Sequence, residues 1–129
     1  MRLEDAINLE DLRELARRRL PRMLFDYIDG GADDELGLLR NRVAYQQHQL
    51  LPRYLVDVPS CDQSTVLFGR TYDHPFGIAP MGQCGLFRPG ADLMLAEAAA
   101  EANIPLLLST GSNLPLEEVA RVAPHMTWF

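Results

Sequence analysis

Between residues 76 and 129, short apolar runs without polar alternation are separated by helical patterns, and this arrangement restricts the fold more than any other feature. Phe76–Ala79, bounded by Pro75 and Pro80, reads as a buried strand. Gly90-Ala91-Asp92 opens an alanine-rich helix that runs to about Asn103. Ile104–Ser109 reads as a second buried strand, Ser112 or Asn113 as the cap of a helix from Pro115 to about Val122, and Met126–Phe129 as the start of a third strand. Strands apolar on both faces belong to parallel sheets covered by helices, and alternation of strand and helix supplies those helices. The strand spacing, about 20–30 residues, suits the βα units of a (β/α)₈ barrel and an open doubly wound sheet equally.

The first 53 residues read as helical instead. Asn8 is the expected N-cap, with Asp11 three positions on, and Leu9, Leu12, Leu15, Ala16 and Leu20 recur at helical spacing. Pro21 ends that helix and opens a second, which Gly30-Gly31 stops. Asp33 is the expected cap of a third helix, with Leu36, Leu39, Val43 and Ala44 facing inward. In residues 54–75 the period changes: Tyr54–Val58 is extended, and Thr65–Phe68 and Thr71–Tyr72 form a hairpin about a Gly69-Arg70 turn.

Charge and composition exclude several classes. Twelve Lys+Arg against eighteen Asp+Glu leave a net charge of −6, which argues against a nucleic-acid binder. Cys61 and Cys84 form neither a disulfide framework nor a zinc spacing, so reduced thiols and a cytoplasmic location are expected. No metal site is expected. The acidic start lacks the apolar segment of a signal peptide, and the longest strongly apolar stretch, Ile104–Leu108, is far short of a membrane span.

In either parallel architecture, ligands gather at the carboxyl ends of the strands. That rule selects Pro80-Met81-Gly82-Gln83-Cys84-Gly85 and Ser109-Thr110-Gly111-Ser112-Asn113. Both contain glycine, which lets backbone N–H groups approach a planar or anionic ligand, although ordinary βα loops share that composition. There is no GxGxxG and no P-loop. His74 and His125 precede their strands and His48 follows the third helix, so none belongs to the expected face. Cys84 lies in the first loop without an identifiable basic partner.

Several ordered motifs carry a resemblance. Leu20-Pro21-Arg22-Met23 leads into Phe25-Asp26-Tyr27-Ile28-Asp29-Gly30-Gly31-Ala32-Asp33-Asp34-Glu35. Asn41-Arg42, Leu55-Val56-Asp57-Val58, Pro75-Phe76-Gly77-Ile78-Ala79-Pro80, Pro89-Gly90-Ala91-Asp92, Ala96-Glu97-Ala98-Ala99, Ile104-Pro105 and Leu108-Ser109-Thr110 follow in order. From about residue 7 onward the chain resembles the amino-terminal part of the FMN-dependent 2-hydroxy-acid dehydrogenases and oxidases, the family of glycolate oxidase, lactate oxidase and (S)-mandelate dehydrogenase. Gly30-Gly31-Ala32 and Ser109-Thr110-x-Ser112-Asn113 are most similar to the mandelate-dehydrogenase-like members.

The resemblance implies an α/β fold in which residues 1–129 form the amino-terminal portion of one domain. Residues 1–53 would be a helical extension, 54–75 a hairpin base, and 76–129 the first two to three strands of an FMN-binding (β/α)₈ TIM barrel, incomplete within these residues. It implies FMN contacts from Pro80, Met81, Gly82 and Ser109, and a substrate-carboxylate contact from Tyr27, whose phenol donates without adding charge. Met81 stands where many members have Thr, which removes a side-chain hydroxyl but keeps a backbone contact. The substrate would be a small (S)-2-hydroxy acid, and the full-length form a homo-oligomer. The family's Gln-x-Tyr segment, Lys, catalytic His and carboxylate-binding Arg match no position here, so no catalytic residue is expected in this chain, and the chain alone is expected to be inactive. Three readings compete: a partial chain of such an enzyme, a catalytically inactive fragment or interaction module keeping part of a flavin site, and a small independent α/β binding domain.

Overall fold

The computed structural model describes residues 2–129. The chain divides into two compact units, one ending at Asp57 and one spanning Val58–Phe129.

In the first unit, α1 (Leu9–Arg19), α2 (Arg22–Asp29) and α3 (Leu36–Gln46) follow one another. Asn8 caps α1 as expected, its Oδ1 accepting from the Asp11 N–H at 2.8 Å, while Asp11 Oδ2 accepts from the Ile7 N–H at 3.1 Å. Pro21 is the N-cap of α2, its carbonyl accepting from Phe25 N–H at 3.0 Å. Arg13 of α1 forks onto Asp29 of α2, with Nη2 donating to Oδ2 at 2.8 Å and Nε to Oδ1. That pairing holds the Asp29 carboxyl below its ordinary range. Leu15 and Phe25 are the buried side chains of the pair.

The third helix departs from expectation twice. Asp33 does not cap it; Asp33 and Glu35 both adopt left-handed backbone (φ 49° and 58°), and Glu35 holds the N-cap position while its Oε1 accepts from Gly31 N–H at 3.1 Å. Leu36, Leu39, Val43 and Ala44 do not face a core: α3 buries no side chain, because no element of this unit covers that face. Gly30 terminates α2 in extended backbone (φ −79°), not in the left-handed cap that glycine often provides.

In the second unit, β1 (Thr65–Leu67) and β2 (Arg70–Tyr72) pair antiparallel, with Thr65 opposite Tyr72. The turn is Phe68-Gly69, one residue earlier than expected; both residues have positive φ (50° and 76°), the geometry that matches strand twist in a two-residue hairpin. Tyr54–Val58 joins no ladder, and Leu55 there is left-handed (φ 58°). Phe76–Ala79 contributes only one bridging residue: Ile78 pairs parallel with Leu106, its N–H donating to Pro105 O at 2.8 Å and its carbonyl accepting from Leu107 N–H at 3.0 Å. Phe76 is exposed, so the run is not a fully buried strand. Gly77 is required by this approach, since a Cβ there would stand 2.5 Å from Pro105 O.

Then come a short helix α4 (Cys84–Phe87), which the apolar pattern did not announce, α5 (Ala91–Glu101), β3 (Leu106–Leu107), α6 (Leu116–Val122) and β4 (Thr127–Trp128). β3 and β4 pair parallel, Leu106 with Thr127 and Leu107 with Trp128. The core gathers Tyr72, Ala96, Ala99, Ile104, Leu106, Leu108, Val119, Ala123 and Met126. Ala96 and Ala99 of α5 face inward, three residues apart, and let its backbone lie close to β3 and α6. Trp128 Nε1 donates to the Tyr72 hydroxyl at 3.1 Å, and Asn103 Nδ2 donates to Asp73 Oδ1 at 2.6 Å; both contacts fasten the hairpin to this core.

Candidate functional site

Parallel pairing of Ile78, β3 and β4 brings the carboxyl ends of the strands to one edge. The turns after Ile78 and after β3 therefore meet. Gln83 N–H donates to Gly111 O at 2.8 Å, and a Cβ on Gly82 would lie 3.6 Å from Ser109 Oγ and 3.8 Å from Gly111 Cα. The second turn is held internally: Gly111 N–H donates to Ser109 Oγ at 3.1 Å, and Ser112 N–H to Ser109 O at 3.0 Å. Ser109 Oγ is thus an acceptor within the loop, and its own proton remains for a ligand.

Neither Ser112 nor Asn113 caps α6, contrary to the sequence expectation. Ser112 Oγ accepts from Leu114 N–H at 3.1 Å, Asn113 Oδ1 accepts from Gly85 N–H at 2.8 Å, and Pro115 occupies the N-cap position. The side chains best suited to a cap are used inside the loops instead.

An open concavity of about 500 Å³ lies between Pro80, Leu107, Leu108, Ser109, Thr110 and Trp128–Phe129. Its walls are mostly apolar, with the Ser109 and Thr110 hydroxyls as the polar side-chain groups. Among the described residues, the backbone N–H groups of Met81 and Gly82 donate to no protein acceptor. Beneath the turns, Asp92 of α5 is only 4% exposed and lines a cavity of about 10 Å³ with Ala79, Met81 and Ser109. Sequence patterning marked Asp92 only as part of a helix opening; nothing in the spacing announces a buried carboxylate.

Cys84 Sγ donates to Met81 O at 3.5 Å. Burial, and then the nearby Asp92 charge, push its thiol above the usual range, which disfavours the thiolate a nucleophile needs. His74 stacks on Phe76 with ring centroids 5.3 Å apart and meets Gln63 Oε1 at 3.4 Å, at the opening rather than the end of its strand run. His125 lies just before β4. Tyr27 sits on α2 of the first unit and is 72% exposed, not in a helix–helix core. Among the described residues, no group of three His, Cys, Asp or Glu side chains is arranged to hold a metal ion, and no helix is long and apolar enough to cross a membrane.

Residues 16–129 match the family described as FMN-dependent dehydrogenase. The chain is 41% identical over 126 residues to the (S)-mandelate dehydrogenase of Pseudomonas putida, covering 98% of this chain and 32% of that protein. It is 43% identical over 114 residues to the peroxisomal (S)-2-hydroxy-acid oxidase of Oryza sativa subsp. indica, covering 88% of this chain and 31% of the relative. It is 43% identical over 119 residues to the L-lactate dehydrogenase of Caulobacter vibrioides, covering 92% and 31%. Among solved structures, one described as the monotopic membrane protein (S)-mandelate dehydrogenase superposes with a TM-score of 0.89 at 42% identity, over 97% of this chain and 34% of that one. The chain thus spans about a third of the length of the curated relatives it matches. Since the family pattern extends over residues 16–129 and the fold follows its solved members, the chain belongs to the FMN-dependent dehydrogenases.

Proposed function

We propose that these 129 residues form the first part of a TIM-barrel enzyme that oxidises an (S)-2-hydroxy acid to the 2-oxo acid with FMN, and that they supply one edge of its flavin site. The observation that carries the reading is the joining of the Pro80–Gly82 and Ser109–Gly111 turns at the carboxyl ends of parallel strands, with two backbone N–H groups directed to no protein acceptor. The residues present fit a flavin ring. A mostly apolar hollow within the usual 300–1,000 Å³ of ligand sites would take the ring's faces. The N–H groups of Met81 and Gly82 and the Ser109 hydroxyl would supply donors for its polar edge.

When bound, FMN supplies the hydride acceptor; the chain's own groups bind and orient. Pro80 stiffens the turn, Met81 and Gly82 present their N–H groups, Ser109 donates its hydroxyl proton, and Tyr27 donates its phenolic proton to the substrate carboxylate. Exchange of the family's common Thr for Met81 leaves only the backbone contact at that position. A homo-oligomeric full protein and a cytoplasmic location complete the reading, tested by sizing and by cell fractionation. Flavin visible absorbance in the purified protein that carries these residues, with turnover of mandelate, lactate or glycolate by a dye acceptor, is the direct test. Colourless protein without turnover would defeat it.

One observation favours a second reading, a catalytically inactive module that keeps part of a flavin site. Neither turn holds a histidine or carboxylate able to take the hydroxyl proton, and general-base catalysis typically contributes on the order of 10²–10⁴-fold. Bound flavin without turnover of any 2-hydroxy acid would select that reading.

A further inference from the structure

The two turns assigned to the flavin are joined by a side chain as well as by backbone. Asn113, four residues beyond Ser109, reaches back 28 positions so that its Oδ1 accepts from Gly85 N–H at 2.8 Å. Gly85 is the second residue of α4, whose N-cap Gln83 is left-handed (φ 55°) and offers no side-chain cap. One of the N–H groups that a helix cannot satisfy internally is thus satisfied from the neighbouring turn. The fit is close: a Cβ on Gly85 would stand 2.9 Å from Asn113 Oδ1 and 3.0 Å from its Cγ, so only glycine leaves room.

We infer that Asn113 is a positioning residue that sets the spacing between the Met81–Gly82 amide edge and the Ser109 hydroxyl, so that both meet one flavin ring at once. This rests on the flavin reading above. Three donors on two separate turns bind a rigid planar ligand well only if the turns keep register. The Gln83–Gly111 backbone bond fixes one point of contact, and one point leaves the turns free to pivot. The Asn113–Gly85 bond, two residues farther along both turns, supplies the second. Asparagine suits the place because its side-chain oxygen reaches the Gly85 N–H as an acceptor.

The test uses the FMN-loaded full protein carrying these residues. N113L keeps the side chain's approximate shape and removes the acceptor; N113D keeps an acceptor oxygen; G85A keeps Asn113 but pushes the turns apart. FMN affinity is titrated on each apoprotein, and the visible spectrum of the bound flavin is recorded. N113L and G85A are expected to bind FMN on the order of tenfold more weakly, with a shifted flavin spectrum, and N113D to regain most of the affinity. Folded N113L with parental affinity and spectrum overturns the inference, as does folded N113D no better than N113L. If N113L does not fold, G85A decides: parental FMN affinity in G85A overturns the inference. Failure of both to fold assigns the contact to folding and equally overturns positioning. A parent protein that binds no FMN defeats the flavin reading itself, and the inference falls with it.

Discussion

Tyr27, Ser109 and Glu14 illustrate how differently single residues reveal themselves. Tyr27 sits in an apolar helical pattern and reads as a core aromatic until its Asp26-Tyr27 context is compared with the family; on α2 it is exposed. In the full protein, Tyr27→Phe is expected to raise the Kd of a 2-hydroxy acid on the order of tenfold or more, the loss of one hydrogen bond to a charged group, with flavin content unchanged. Collapse of flavin content at unchanged substrate affinity would remove the assignment. Ser109→Ala is expected to weaken FMN binding by a comparable factor, read by titrating the apoprotein. Glu14 is an electrostatic residue of α1: hydrogen bonds from Arg17 and Arg18 hold its carboxyl at about 2 instead of 4.5. A depressed pKa favours folding above the ordinary value and loses that contribution as pH falls from about 4.5 towards 2. The three side chains remain open to solvent, so the effect is small and salt-sensitive. The thermal midpoint of E14Q should lie below the parent's near neutrality and converge with it towards pH 2.

At the scale of elements, α1 is legible because its Asn8 cap and apolar spacing agree, and α5 because Gly90 stands just before an alanine-rich run. The capping residues of α3 and α6 are not, although the span of α6 is, because Asp33, Ser112 and Asn113 all carry capping side chains and local sequence cannot say which will be spent on loops. The strands are shorter than the apolar runs that announce them, since a run records burial whereas a strand records pairing. β3 illustrates the difference: Ile104, Leu106 and Leu108 are buried, yet only Leu106–Leu107 pair with β4. Leu106 stands at the centre, in register with Ile78 on one side and with Thr127 on the other, and is 3% exposed. Leu106→Ala is expected to cost about 2–5 kcal/mol of stability, measured by denaturant unfolding. Asn8→Ala should cost only about 0.5–2 kcal/mol, because α1 loses a cap and no packing.

For the molecule as a whole, chemistry follows from which residues share the carboxyl edge. His74 lies on the entry side of its strand run, His125 precedes β4 and His48 belongs to the first unit, so neither of the two turns proposed to hold the flavin carries a histidine. The 129-residue polypeptide expressed by itself is expected to show no turnover of lactate, glycolate or mandelate with a dye acceptor. Turnover in a preparation free of host enzyme would refute this and would require a base among residues assigned no such role here.

Local sequence sufficed for most of the order of helix and strand, for the Asn8 cap of α1, and for the two turns that follow the apolar runs, because each depends on near neighbours in the chain. The joining of those turns, the burial of Asp92, and the use of Asn113 on Gly85 rather than on α6 required the folded chain. Each depends on groups that sequence separates and that the parallel pairing of Ile78, β3 and β4 brings together.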